Sequence, residues 1–287
     1  MGDSGENLYI IESLKEDLAS DNNLKIKFQP VFDVEVQRVW VAEALLRWRH
    51  PQTAKYVPPK VFVELAEKFN FSVELDRWVF KHALDTSERW WREFPDAAPR
   101  ISINVTAASI EDRAFQREVI ERAQRLPSAI RPMLEITERV LARPAMLQPA
   151  VRQLRQAGLS LSVDDFGSGY SSLAHFAQTD VDALKVDRDL LNLAGVSRKA
   201  RTIFRSLLRV GKDLGVRVVI EGVEDASQLG WLRSIGGRFF QGFYFSPPLS
   251  ESEYRARFLL RNPTFDLSDA DWRSVYMTQC DKSLPDK

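Results

Sequence analysis

Two adjacent aspartates, Asp164 and Asp165, follow an alternating apolar segment and precede a turn that begins at Gly167. The apolar residues of that segment are Leu159, Leu161 and Val163. This alternation predicts a strand, so the carboxylates stand at its end, where (β/α)8 barrels carry their catalytic groups. Neighbouring carboxylates repel each other and lose hydration, so a bound cation is one explanation for the pair. An N-cap followed by a turn is the other, and the pair alone does not separate the two.

Further oxygen-bearing side chains stand near the ends of other predicted strands. They are Glu43, Asn104, Glu135 and Glu221. Because the carboxyl ends of barrel strands meet at one rim, we expect these side chains to gather with the aspartate pair. Six oxygen donors without cysteine or histidine among them describe a hard-cation site and favour magnesium or manganese. The set exceeds what one ion needs, which favours two ions.

Other polar residues could act beside this cluster. Lys185 and Asp187 are two apart on a predicted strand and therefore face the same side. An inward lysine could orient or deprotonate a water or neutralise a phosphate, and a salt bridge to a surplus carboxylate is the alternative. Arg47 offers a forked cation suited to a phosphate. Gln29 and Gln241 lie in apolar segments, where each could hydrogen-bond a base or be a satisfied core amide.

The elements that must position these residues alternate along the chain. Strands are predicted at residues 25–31, 38–46, 100–105, 133–137, 159–166, 183–187, 217–221 and 239–245. Helices are predicted at residues 10–20, 59–70, 74–94, 109–126, 144–156, 199–214, 226–235 and 250–260. This alternation predicts an α/β fold, a TIM-like (β/α)8 barrel. The gap at residues 33–37 is too short for a helical crossover, so the first strand should be antiparallel to the second.

Composition restricts the possible partners. Forty basic and forty acidic residues cancel, which argues against DNA binding and against an anionic membrane surface. No apolar run approaches the roughly 20 residues of a membrane-spanning helix. The single cysteine, Cys280, gives no internal disulfide and suits the cytoplasm. We expect a lead-in segment at residues 1–20, one catalytic domain at residues 21–262 and a polar extension at residues 263–287.

Several motifs occur in an order that identifies a family. They are Glu43-Ala44-Leu45-Leu46-Arg47, Ser102-Ile103-Asn104, Glu135-Ile136-Thr137-Glu138, Asp164-Asp165-Phe166-Gly167, Lys185-Val186-Asp187, Glu221-Gly222-Val223-Glu224 and Gln241-Gly242-Phe243. In this order they resemble the EAL domains, which are bacterial cyclic di-GMP phosphodiesterases. The resemblance extends from about residue 24 to residue 260 and implies two-metal hydrolysis of cyclic di-GMP to linear pGpG.

The resemblance also assigns roles to individual residues. It implies one ion held by Glu43, Asn104, Glu135 and Asp164 and a second held by Asp164, Asp165 and Glu221. Glu43, Asp164, Asp165 and Lys185 would be catalytic, with Lys185 assisting the attacking water. Gln29, Leu45, Arg47 and Gln241 would bind substrate. Glu138 would anchor the loop after Asp165, while Asp187 and Glu224 would support the site.

Partners and inhibitors follow from the same resemblance. A homodimer is expected, and an upstream sensory, receiver or GGDEF domain is possible. Calcium should inhibit, because its longer and looser coordination does not fit a magnesium geometry. Two alternatives stay open: a receptor that binds cyclic di-GMP without cleaving it, and an enolase-type barrel that abstracts a proton beside a carboxylate.

Overall fold

The computed structural model describes residues 3–141, 144–166 and 179–260. The strands are β1 Leu24–Asp33, β2 Arg38–Arg49, β3 Tyr56–Val57, β4 Arg100–Asn104, β5 Met133–Thr137, β6 Ser160–Phe166, β7 Ala183–Val186, β8 Arg217–Ile220 and β9 Phe239–Phe240. The helices are α1 Asp3–Ser20, α2 Pro59–Lys68, α3 Ser72–Glu93, α4 Ala107–Glu111, α5 Arg113–Gln124, α6 Glu138–Leu141, α7 Pro144–Gln156, α8 Arg188–Val196, α9 Arg198–Leu214, α10 Ala226–Ser234 and α11 Glu251–Tyr254. A 3-10 turn, Ser128–Ile130, and a π-helical turn, Arg255–Leu259, complete the described elements.

The strands form a closed barrel. Within the described ranges the sheet has nine strands in the order β1-β9-β8-β7-β6-β5-β4-β2-β3, and the β1–β2 pairing closes eight of them into a ring. Strand β1 is antiparallel to both of its ring neighbours, β2 and β9. The other six pairings of the ring, from β2–β4 to β8–β9, are parallel. The predicted TIM-like barrel with an antiparallel first strand is therefore confirmed.

Some element boundaries differ from the sequence predictions. The strand predicted at residues 239–245 ends at Phe240, because the chain then turns tightly at Gly242. Gly242 has a φ of +155°, and a Cβ there would lie 2.2 Å from the backbone oxygen of Val223. A side chain would not fit at this close approach of two backbones, so the turn requires glycine. The helix predicted at residues 109–126 is interrupted at Asp112, whose side chain accepts a hydrogen bond from Phe115 N at 2.6 Å and begins α5.

The first helix is packed into the barrel wall. Ile11 and Leu14 of α1 are buried in one cluster with Trp48 of β2 and Phe62 of α2. The indole Nε1 of Trp48 donates to Asp17 Oδ2 at 2.7 Å. Helix α1 therefore packs against the outer face of β2, whereas the other face of this strand lines the barrel interior.

Apolar side chains fill one end of the barrel interior. An apolar cluster of Val31, Val41, Val219 and Phe239 lies at the end of the barrel where the parallel strands begin. Polar side chains follow it toward the opposite rim, where the parallel strands end. This arrangement leaves all the chemistry at one end of a rigid core.

Candidate metal centre and adjoining cavity

Lys185 lies at the centre of a carboxylate cluster. Its Nζ lies 3.2 Å from Glu43 Oε2, 2.9 Å from Glu135 Oε2, 3.2 Å from Asp164 Oδ1 and 2.8 Å from Glu221 Oε1. These residues come from β2, β5, β6, β7 and the position after β8, so tertiary closure brings five chain segments to one point. The lysine side chain is only 3% exposed. Lys185 therefore forms the salt bridge that the sequence offered as an alternative to a catalytic role, and it does so with four carboxylates rather than one.

Two side-chain amides donate hydrogen bonds to Glu43. Asn104 Nδ2 donates to Glu43 Oε1 at 2.9 Å, and Gln241 Nε2 donates to Glu43 Oε2 at 2.7 Å. Gln241 Oε1 is buried and accepts no hydrogen bond within the described structure. Gln29 Nε2 donates to the backbone oxygen of Ser246 at 3.0 Å. Gln29 thus has a core partner on one side, whereas Gln241 keeps an acceptor available.

The carboxylates form two groups that share one residue. Glu43, Glu135 and Asp164 place one oxygen each within 4.8 Å of one another, and so do Asp164, Asp165 and Glu221. Asp165 has a φ of +54°, a left-handed conformation that a residue other than glycine rarely adopts. Such strain is typical of functional sites, and here it occurs at Asp165, a member of the second carboxylate group. The aspartate pair thus belongs to a cluster of carboxylates, while the turn in which an N-cap would be formed lies outside the described residues.

The cluster fits divalent cations by charge and by donor type. Five carboxylates face one lysine, and Asp164 Oδ1 accepts no hydrogen bond although it lies 3.2 Å from Nζ. Carboxylate and amide oxygens are the ligands that hard cations prefer. Bound cations would compensate the excess negative charge of these five carboxylates, so the residues present fit the two ions that the sequence predicts.

The acid–base balance of the cluster reflects the same excess of negative charge. Burial, with repulsion from neighbouring carboxylates, raises the pKa of Glu135 and of Glu221 to about 8. Burial and the charge of Asp164 raise the pKa of Asp165 to about 6. For Glu43, burial opposes ionisation, but Lys185 and the two amides outweigh it and hold the pKa below its usual value. Burial also disfavours charge on Lys185, yet the surrounding carboxylates raise its pKa well above the ordinary value.

A cavity of about 230 Å³ opens beside the cluster. Its described lining is Gln29, Glu43, Leu45, Arg188, Glu221, Gly222, Glu224, Gln241, Gly242 and Phe243. The cavity shares Glu43 and Glu221 with the carboxylate cluster, so a molecule in it would touch the candidate metal centre. Gln29, Leu45 and Gln241 were predicted to bind substrate, and all three line this cavity.

Other predicted residues lie around the cluster. Arg47 is not among the described lining residues of the cavity, and its Nη1 donates to Leu46 O at 2.9 Å. Asp187 lies beyond the end of β7 and caps α8 through a hydrogen bond from Asp189 N, so the prediction that it shares a strand face with Lys185 is wrong. Its charge nevertheless contributes to the raised pKa of Asp165.

Two further predicted residues lie at the edge of this region. Glu138 is buried at the start of α6. The loop it was expected to anchor, at residues 167–172, lies outside the described residues. Glu224 Oε1 pairs with Arg188 Nη2 at 2.7 Å on the cavity wall. Sequence reasoning missed Arg188 and Phe243 as lining residues, although Arg188 directly follows one identified motif and Phe243 is the last residue of another.

Comparison with known proteins identifies the family. A family model described as the EAL domain matches residues 11–248. Cyclic di-GMP phosphodiesterase PA2567 of Pseudomonas aeruginosa is 33% identical over 243 residues, which cover 84% of this chain and 41% of that protein. Cyclic di-GMP phosphodiesterase PdeL of Escherichia coli is 30% identical over 250 residues, which cover 85% of this chain and 68% of that protein.

A solved structure supports the same assignment. The PaMucR phosphodiesterase in complex with c-di-GMP superposes with a TM-score of 0.77 at 29% identity, and covers 85% of this chain and 99% of that one. The chain belongs to the EAL domain family. It spans less than half the length of several curated relatives, for example 41% of the Pseudomonas phosphodiesterase and 44% of the probable phosphodiesterase PdeN of Escherichia coli.

Proposed function

We propose that this chain is a cyclic di-GMP phosphodiesterase that hydrolyses one phosphodiester bond and releases linear pGpG. The observation that carries the proposal is the pair of carboxylate groups joined at Asp164, with a cavity directly beside them. Relatives named as cyclic di-GMP phosphodiesterases and a related structure solved with c-di-GMP support this substrate.

The proposed site holds two divalent ions, magnesium or manganese. Glu43, Asn104, Glu135 and Asp164 would hold one ion, and Asp164, Asp165 and Glu221 would hold the other. When bound, such ions supply Lewis-acid activation of water and of a phosphoryl oxygen at neutral pH. Calcium would occupy the oxygen ligands without the compact geometry and would therefore inhibit.

The residues of the chain would position the reactants. Lys185 stays protonated among its carboxylate partners, so its ammonium group would orient the attacking water and offset charge that develops on the phosphate. Gln241 fixes Glu43 through one amide atom and keeps its other amide atom available to substrate. Gln29 and Leu45 would contact substrate from the cavity wall, and Arg47 would approach it from β2.

Supporting residues and partners complete the proposal. Asp187 and Glu224 would support the site from the starts of the neighbouring loops, and Glu138 would anchor the loop after Asp165. We further propose a homodimer, regulation by a sensory, receiver or GGDEF domain, and action in the cytoplasm. In the described ranges, no helix is long and apolar enough to cross a membrane. We keep residues 21–262 as the catalytic unit and residues 1–20 as its lead-in.

Turnover of cyclic di-GMP tests the function directly. We expect the wild-type chain to produce pGpG with magnesium or manganese and to stop when calcium replaces them. Glu43→Gln should abolish turnover, whereas Glu64→Gln, an exposed glutamate of α2, should leave it unchanged. Binding of cyclic di-GMP without cleavage in saturating manganese would instead indicate a receptor. Absence of both binding and cleavage would reopen the enolase-type alternative.

A further inference from the structure

Arg188 holds a distinctive position in the cavity. Among the described residues that line it, Arg188 alone carries positive charge, while Glu43, Glu221 and Glu224 are acidic. The remaining described lining is amide, apolar or glycine. An anionic ligand that enters such a cavity loses hydration and meets carboxylates, so it requires a cation to compensate.

The position of Arg188 is fixed by the elements that form the metal centre. It is the first residue of α8 and follows β7, the strand of Lys185. Its aliphatic stem packs under Gly222, where an added Cβ would lie 2.5 Å from Arg188 Cγ. Gly222 directly follows Glu221, which contacts Lys185. Arg188 therefore lies between the ends of β7 and β8, next to the carboxylates but outside their cluster.

Arg188 forms an ion pair with Glu224 that an incoming anion can replace. Its Nη2 lies 2.7 Å from Glu224 Oε1, and the two side chains are 52% and 42% exposed. Exposed ion pairs contribute little to stability, so an incoming anion can replace Glu224 at small cost. A guanidinium also matches the planar geometry of two phosphate oxygens, which an ammonium group cannot do.

We propose that Arg188 is a substrate-binding residue that pairs with the phosphate of the cyclic dinucleotide that is not being hydrolysed, and that Glu224 holds the guanidinium until substrate arrives. This inference rests on the proposed function. With one phosphodiester against the metal centre, the second phosphate of the same ring would extend into the cavity, which shares Glu43 and Glu221 with the carboxylate cluster. Arg188 supplies the only described positive charge there, so it selects a ligand with two phosphates.

Two substitutions separate this role from a structural one. Arg188→Met keeps an apolar stem against Gly222 and removes the guanidinium. We expect KM for cyclic di-GMP to rise roughly 10- to 100-fold with kcat nearly unchanged, because a charge-assisted hydrogen-bonded pair is lost from binding. Arg188→Lys keeps the charge without the fork and should recover part of the affinity. Glu224→Gln removes the competing carboxylate and should lower KM or the dissociation constant.

The control and the second measurement complete the design. Arg209→Met alters an exposed arginine that pairs with Asp213 on α9, and it should behave as wild type. Dissociation constants for cyclic di-GMP are measured by calorimetry in calcium, and manganese binding is followed by thermal unfolding without nucleotide. Arg188→Met should weaken nucleotide binding and leave manganese binding unchanged.

Each outcome decides one question. If Arg188→Met binds and turns over cyclic di-GMP as wild type does, the inference is overturned and the proposed function stands. A loss of kcat together with altered manganese binding assigns Arg188 to support of Glu221 and also overturns it. If the wild type binds without cleaving, the proposed function fails, and the ratio of dissociation constants alone decides about Arg188. A wild type that neither binds nor cleaves overturns both.

Discussion

Lys185 Nζ lies 2.9 Å from Glu135 Oε2, and both side chains are almost completely buried. Glu43, Asp164 and Glu221 surround the same nitrogen at 2.8–3.2 Å. The lysine is thus the single cation that the described chain supplies to this cluster.

Removal of the Lys185 charge should destabilise the fold in a pH-dependent way. Lys185→Met leaves buried carboxylates without their counter-charge, which typically costs about 3–5 kcal/mol. Burial and mutual repulsion hold the pKa of Glu135 and Glu221 near 8, so both glutamates are largely protonated in acid. Urea unfolding in the presence of a chelator should therefore show a smaller loss at pH 5 than at pH 8. An equal loss at both values would contradict this electrostatic explanation.

Divalent ions should stabilise the fold through Asp164. Manganese at 100 times its dissociation constant should raise the free energy of unfolding by about 2.7 kcal/mol for each site. Asp164→Asn changes the residue shared by both carboxylate groups, whereas Glu221→Gln changes one group only. Thermal unfolding with increasing manganese should thus show almost no stabilisation for Asp164→Asn and an intermediate effect for Glu221→Gln. Equal effects of the two substitutions would be evidence against a shared ligand.

Asp76 should make stability depend on pH away from the metal centre. Burial raises the pKa of Asp76 from 3.8 to about 6, although Ser109 and Thr106 donate hydrogen bonds to it. Because the folded pKa is raised, this stabilisation is complete below about pH 4 and is lost as the pH rises through 6. About two units correspond to roughly 3 kcal/mol at most.

The substitution Asp76→Asn tests this assignment. Asparagine resembles the protonated acid and can still accept the three hydrogen bonds. It should flatten the dependence of unfolding free energy on pH between 4 and 6, while Asp96→Asn, at an exposed position, should not. If the two variants give the same slope as wild type, Asp76 does not titrate in this range.

Helix α1 should be required for a stable barrel. Deletion of residues 1–20 exposes Trp48 and Phe62, which now pack against Ile11 and Leu14. Burial of one large apolar side chain contributes about 1.5–3 kcal/mol, so the deletion should cost several kcal/mol. The smaller change Asp17→Ala removes the partner of Trp48 Nε1 and should cost about 1–3 kcal/mol. Urea unfolding measures both, and a deletion variant as stable as wild type would show that α1 is dispensable.

The strand that ends at the aspartate pair and the first hairpin were predictable because their sequence signals are local. The alternation before Asp164 and the short gap after Asp33 define a strand and a hairpin without knowledge of the rest of the chain. The end of β9 was not predictable, because it involves the close approach of Gly242 to the backbone of Val223, a residue of another loop. Likewise, the spacing of Asp187 from Lys185 predicts that both lie on one strand, but Asp187 follows the end of that strand and its side chain caps α8.

By itself, the sequence determined which residues could do chemistry and in which order they occur: carboxylates and amides near strand ends, with one lysine among them. Tertiary structure alone decided their partners. Spacing along a chain does not specify distances across a barrel, and closure of the ring is what places Lys185 within 3.2 Å of four carboxylates from four other segments. The same closure places Arg188 beside Glu224 at the cavity, a relationship between two exposed charges that no local pattern contains.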